Sequence, residues 1–145
     1  KDVVATIDAN SVDTNDPKRD EHLKSKDFFN AKDNPKITFK LAKADVKGKK
    51  PTRVTGELTI NGQTKPVVLD LVYNGIGKDP WGNQRMAFSA KSPVDKKLKR
   101  KDFGMTFNKV LDNGGFLIGE EVEISIAGEA LLQVAPAKVE EKKKK

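Results

Sequence analysis

The chain contains no cysteine. Disulfide scaffolds, CxxC redox centres, thiolate zinc sites and cysteine nucleophiles are therefore excluded, and the absence fits the cytosol and an oxidising compartment equally well. The single histidine, His22, rules out an HExxH site or a multi-histidine metal centre. No metal and no cofactor is expected. There is no G-x-S-x-G nucleophile elbow. No apolar run approaches the roughly 20 residues of a membrane span. No signal peptide opens the chain; Lys1-Asp2-Val3, without a Met, reads as a processed or truncated start. Aromatic residues are few: seven Phe, one Tyr and one Trp.

What is present is a polar but periodic sequence. Its 145 residues match the usual size of one domain. Lys and Arg outnumber Asp and Glu by 28 to 21, a net +7. Residues 136–145 hold five Lys and two Glu and so contribute three of those charges, leaving +4 on residues 1–135. The expected organisation is one domain over 1–135 followed by a basic solvated tail over 136–145. Basic residues are spread over many turns and offset by acids, so the interleaved basic and aromatic face of a nucleic-acid binder is not evident.

The dominant hydrophobic period is two. Val3, Ala5, Ile7 and Ala9 alternate with polar neighbours, as do Ile37, Phe39 and Leu41, then Val54, Leu58 and Ile60, then Val122, Ile124 and Ile126. Each run predicts an antiparallel strand with one apolar face. Val67 to Tyr73 is apolar at every position but Asp70, which predicts cover on both sides. Shorter strands are expected at Met86–Ala90 and Phe116–Ile118, and Ala130, Leu132 and Val134 extend the last one. Turn signals separate the runs: Gly48 with its lysines, Asn61-Gly62 with Gln63–Pro66 lengthening the loop, Asp79-Pro80-Trp81-Gly82-Asn83, and Asp112-Asn113-Gly114-Gly115. Asn15-Asp16-Pro17 starts a short helix to Lys24, and Ser25 caps a second turn. Asp95–Gly104 reads as a loop or one helical turn. Periodicity alone thus points to an antiparallel sandwich or barrel.

Five collinear stretches carry a family resemblance. Ser11-Val12-Asp13-Thr14 is followed by Arg19-Asp20-Glu21-His22-Leu23-Lys24-Ser25-Lys26-Asp27-Phe28-Phe29. Pro35-Lys36-Ile37-Thr38-Phe39, Gly56–Val67, Arg100-Lys101-Asp102-Phe103-Gly104 and Ile118–Ile124 come after it in order. Together they resemble the YceI-like family. The resemblance implies an all-β, antiparallel, lipocalin-like β-barrel with one or two short helices, holding an isoprenoid or other long-chain amphiphile and located in the bacterial periplasm or secreted. The usual first strands of such a domain have no counterpart ahead of Ser11. The barrel is therefore expected to be incomplete or open, or completed by a complementing N-terminal segment or a homodimer partner.

The apolar residues admit two readings. Ile7, Ile37, Phe39, Leu58, Ile60, Leu69, Leu71, Phe88, Val122 and Ile124 either fill a core or line a tunnel, with Phe28, Phe29, Trp81, Phe103, Met105 and Phe107 at its mouth. The family resemblance favours the tunnel. Arg19, Asp20, His22 and Arg100 are expected as head-group or structural polar residues, with Arg100 paired to Asp102 or Asp20. The run Lys96-Lys97-Leu98-Lys99-Arg100-Lys101 is a solvated loop or a seat for an anionic head group. The expected function is a non-enzymatic lipid carrier. The alternatives are a basic binder of anionic lipid or nucleic acid, and a lipid hydrolase built on Asp20 and His22.

Overall fold

The computed structural model describes residues 3–131. Leu132, Val134 and the tail 136–145 lie outside the described residues. Six strands form one antiparallel sheet in the order β1 (Val4–Asp8), β2 (Lys36–Lys47), β3 (Lys50–Ile60), β4 (Gln63–Lys78), β5 (Gln84–Lys91) and β8 (Ser125–Leu131). Strands β6 (Leu98–Lys99) and β7 (Glu121–Val122) form a separate two-stranded pair. The long sheet curls into a half-barrel. Register shifts at Leu41/Lys43, Asp45/Val46 and Tyr73/Gly75 interrupt its ladders. Such bulges bend a strand and increase its twist, which is what a sheet needs to close on itself.

The turns follow from backbone preference. Asn61 and Gly62 have φ of 49° and 70°, and Ile60 pairs directly with Gln63. Both central residues of a type I′ hairpin need positive φ, which Asn and Gly tolerate best. The β3–β4 loop is therefore two residues long, and Gln63–Pro66 belong to β4 rather than to the loop. Helix α1 (Pro17–Lys24) starts at Asp16, whose carboxylate accepts from Lys18 N and Arg19 N, with Pro17 in the first turn. A pre-set φ and a missing donor suit proline to that position.

The run Val122, Ile124 and Ile126, expected as one strand, is split between β7 and β8 in separate sheets, and two further expected features differ. Phe116–Ile118 is not a strand. It meets Val110 in one isolated bridge, and Asn108 stands in for further pairing by donating from Nδ2 to Ile118 O (2.7 Å) and accepting Ile118 N (3.0 Å). The second difference is that β4 is covered on one side only: Val67 and Leu69 are buried, but Val72 on the outer face is exposed. Uninterrupted hydrophobicity here reflects outer-face β-branched residues suited to a pleated strand, not a second layer.

Residues directly opposite on neighbouring strands share a face. The register therefore sets Ile37, Phe39, Leu58 and Val67 on one inner face, and Leu71, Phe88, Ala90 and Ile126 on the continuation of that face. Two glycines allow rings to lie flat on it. A Cβ at Gly56 would fall 2.4 Å from the Phe39 ring and 2.5 Å from Lys40 O, and one at Gly128 would fall 2.9 Å from the Phe88 ring. Gly56→Ala is therefore expected to lower stability by about 1–3 kcal/mol. Urea unfolding checks this: the midpoint should fall with an unchanged slope, and an unchanged midpoint would show that the Phe39 ring moves aside freely.

Candidate functional site

One end of the inner face is plugged. Phe28, Leu58, Val67, Leu98, Phe103 and Met105 form a buried cluster, with Leu23, Phe29, Ile37, Phe39, Ile60, Phe107, Ile118 and Ile124 packed against it. Phe103 is 2% exposed, the most deeply buried large side chain. The plug comes from three connected pieces: α1, the turn after it, and the segment 100–107. Phe29 N donates to Leu23 O (3.0 Å) and Ala31 N to Lys24 O (2.9 Å), folding the turn back on the helix. Asn61 Nδ2 donates to Phe103 O (3.2 Å), tying segment 100–107 to the β3–β4 hairpin.

Arg100 anchors that segment. It is 8% exposed, and its guanidinium donates to three carbonyls: Gly119 O (2.8 Å, from Nε), Met105 O and Phe107 O (3.2 Å each, from one terminal nitrogen). Its backbone N–H donates to Glu120 O at 2.9 Å. Among the described residues it meets no carboxylate, so the expected pairing with Asp102 or Asp20 is replaced by backbone carbonyls. The planar fork of arginine suits it to several acceptors at once.

The Asp20–His22 pair that the hydrolase alternative needs does not form. Asp20 accepts from the Thr14 N–H (2.8 Å) and hydroxyl, and Arg19 donates to Thr14 Oγ1 (2.8 Å) and Thr14 O (2.7 Å). These bonds fix the loop before α1. His22 Nε2 instead meets Asp27 at 2.8 Å, and its ring stands edge-on to Phe28 and Phe107 at centroid distances of 5.1 and 4.7 Å. Among the described residues no group of three or more His, Asp or Glu is placed to hold a metal.

The other end of the inner face is open. Leu41, Val54, Leu71, Tyr73 and Phe88 are half-buried, and Ile76, Met86 and Ile126 are exposed. This apolar trough crosses β2, β3, β4, β5 and β8. Leu71 and Phe88 lie in it, Leu69 borders it, and Ile37, Phe39, Leu58, Ile60 and Ile124 belong to the plugged end with Phe28, Phe29, Phe103 and Met105. Ile7 sits on the edge strand β1 and is half exposed; Val122 is on β7, away from the large sheet; Trp81 stands 80% exposed at a loop tip. These three do not line the trough. Ile76 was hidden by the bulge between Tyr73 and Gly75, which moves the residues after it by one relative to strict alternation, whereas Tyr73 keeps the alternation of Leu69 and Leu71. Lys96, Lys97 and Lys99 of the basic run surround, with Lys65, Leu98 and Asp102, a hollow of about 260 Å³ beside the plug.

The loop that carries Trp81 is gathered around one carboxylate. The Asp79 carboxylate accepts from Trp81 N (3.0 Å), Asn83 N (2.9 Å), Asn83 Nδ2 (3.0 Å) and Arg85 Nε (2.9 Å). The Asn83 amide and then the Arg85 guanidinium, helped by the two backbone N–H groups, hold its pKa down to about 2 against the opposing effect of desolvation.

The YceI-like domain model matches residues 1–130. A UPF0312 protein of Pectobacterium carotovorum is 43% identical over 131 residues, which is 90% of this chain and 62% of that protein. A UPF0312 protein of Vibrio cholerae is 41% identical over 103 residues, 71% of this chain and 52% of that protein. The chain thus spans 52–62% of the length of these curated relatives. The crystal structure of the Campylobacter jejuni YCEI protein matches with a TM-score of 0.76 at 32% identity, covering 92% of this chain and 74% of that one. Burkholderia cenocepacia BcnA shares the fold, with a TM-score of 0.67 at 23% identity over 90% and 84% of the two chains.

Arg100→Met would leave three carbonyls without their donor and is expected to lower stability by about 2–4 kcal/mol. Arg100→Lys should recover only part of this, because an ammonium cannot span the fork; urea midpoints of the two variants decide it. For Asp79, the folded carboxyl titrates below the unfolded value of 3.8, so its contribution is fully present above that value and is lost as pH falls through about 2. Trp81 fluorescence anisotropy should be flat down to about pH 4 and drop toward pH 2, and Asp79→Asn should show the lower anisotropy already at neutral pH.

Proposed function

Because the chain belongs to the YceI-like family, we propose that it is the lipid-holding part of a non-enzymatic carrier, with an isoprenoid or other long-chain amphiphile lying in the apolar trough. The observation that carries this reading is the trough itself. Five strands contribute apolar side chains to one inner face, one end of that face is sealed by packed aromatics, and the other is left facing water at Ile76, Met86 and Ile126. Leaving such a face wet is unfavourable by roughly 25 cal/mol per Å² of apolar surface, and a hydrocarbon chain removes that surface from water without needing any polar chemistry. No cofactor enters this account.

The edges β1 and β8 lack a strand partner among the described residues. In this proposal they are where further strands complete the barrel, from a complementing N-terminal segment or from a second copy of the chain. The working compartment is the periplasm or the extracellular space, as the family resemblance implies. No helix among the described residues is long and apolar enough to cross a membrane.

Expression in a bacterial periplasm, gentle purification, solvent extraction and mass spectrometry test the proposal. The expected result is near-stoichiometric recovery of a long-chain amphiphile. Leu71→Glu, in the open half of the trough, should lower recovery at least about tenfold, since a carboxylate beside a hydrocarbon is poorly solvated. Val72→Glu, on the outer face, should not change it. Lipid-free parent protein, with equal uptake of a fluorescent long-chain fatty acid by the parent and by Leu71→Glu, would overturn the carrier reading.

A further inference from the structure

Trp81 is the only tryptophan of the chain and is 80% exposed, and its exposure is built rather than slack. Four donors converge on Asp79, whose side chain is 5% exposed, and further bonds from Asp79 N to Asn83 O and from Gly82 N to Asp79 O (2.9 Å each) close the loop. A well-bonded loop therefore presents an indole to solvent. A large ring held in water on a well-bonded loop is the mark of a contact surface.

The topology says what else shares that end of the sheet. In an antiparallel meander, alternate hairpins lie at the same end, so the β2–β3 turn at Gly48-Lys49 lies with the β4–β5 turn at Asp79–Asn83. The plug, the Asn61-Gly62 hairpin and α1 lie at the opposite end. Lys47, Lys49 and Lys78 are exposed at the Trp81 end, and among the described residues none of them takes part in an ion pair, while the Lys50 ammonium lies over the Tyr73 ring, 4.6 Å from its centroid. Val46 and Ile76, 59% and 60% exposed, add apolar surface. The nearby carboxylates are already engaged: Asp45 with Lys43 (2.9 Å), Asp79 with Arg85 (2.9 Å) and Glu129 with Arg85 (3.3 Å). The rim is thus cationic, apolar at its tips and crowned by an indole.

We infer that this rim docks on the surface of an anionic lipid bilayer, with Trp81 seated at head-group depth and Lys47, Lys49 and Lys78 against lipid phosphates. Indole rings favour the membrane–water interface, and lysines near an anionic surface add attraction that salt screens. The docked orientation turns the open end of the trough toward the bilayer. Docking does not require a filled trough, so it stands or falls separately from the carrier reading.

The single tryptophan makes the test direct. Protein stripped of lipid is mixed with vesicles of phosphatidylglycerol and phosphatidylcholine, and with phosphatidylcholine alone. The expected result is a blue shift of Trp81 emission, and quenching by brominated acyl chains, on the anionic vesicles, with little of either on the neutral ones. The triple variant Lys47→Gln, Lys49→Gln, Lys78→Gln should weaken binding at least about tenfold, since each lysine near the surface contributes several-fold, and raised salt should do the same. Trp81→Ala should reduce co-sedimentation. Circular dichroism of both variants should match the parent, so that lost binding is not lost folding. Absence of binding, an equal shift on neutral vesicles, or co-sedimentation without a blue shift would each overturn the inference. The last would place the contact elsewhere, on the lysines of residues 138–145 or on Lys96–Lys99.

Discussion

A curled antiparallel sheet with one apolar face has to cover that face, and in this chain the cover reaches only part of it. Phe28, Phe103, Met105 and Phe107 close one end over Leu58 and Val67. Each fully buried side chain among them contributes about 1.5–3 kcal/mol relative to an exposed one, so the plug is the chief source of cohesion between the sheet and the loops. It is also what separates a structural core from an open trough on one continuous surface. Stability comes from the end that is closed, and the proposed cargo site is the end that is not.

The plug is made of loop, not of regular structure, and loops need backbone partners. Arg100 supplies them to three carbonyls, Asn61 to Phe103 O, and Asn108 to both groups of Ile118. Ser92, buried at the end of β5, does the same for Ile124: its Oγ accepts Ile124 N at 2.6 Å and its own N–H donates to Ile124 O at 2.9 Å. The motif residues that look chemical in the sequence are absorbed by this work. Arg19 and Asp20 brace the Thr14 loop, and His22 reaches Asp27 across the turn. Polar residues with the composition of a catalytic pair are here the fastenings of an apolar device.

Most of the sheet was legible because its period is two and its turns use Gly and Asn where φ must be positive. The Asn61-Gly62 hairpin and the Asp16-Pro17 helix start are examples in which local chemistry and final geometry agree. The misreadings have equally local causes. Bulges at Leu41/Lys43 and Tyr73/Gly75 shift the alternation, so Ile76, beyond the second of them, joins the inner face where a strict count loses it. Val72 looks like core because β-branched residues suit any strand, buried or not. Phe116–Ile118 looks like a strand, but its partner segment is short and a side chain, Asn108, does part of the pairing. Arg100 stands out of its lysine run by its motif position, but a carboxylate was expected as its partner, and only the fold reveals that backbone carbonyls take that place. Which part of an apolar face is filled and which is open depends on loops distant in sequence, and no period reports it.

The division of the inner face into a sealed end and an open end can be measured directly, because the chain has no cysteine to interfere. Single variants Leu71→Cys and Ile126→Cys report the open half, and Leu58→Cys and Val67→Cys report the plug. The rate of thiol labelling is compared in lipid-free protein and in protein loaded with a long-chain fatty acid. The two open-half thiols should label rapidly when the trough is empty and slowly when it is loaded, while the two plug thiols stay protected throughout. Labelling at equal rates at all four positions, or rates at Leu71→Cys and Ile126→Cys that ignore the fatty acid, would contradict the account.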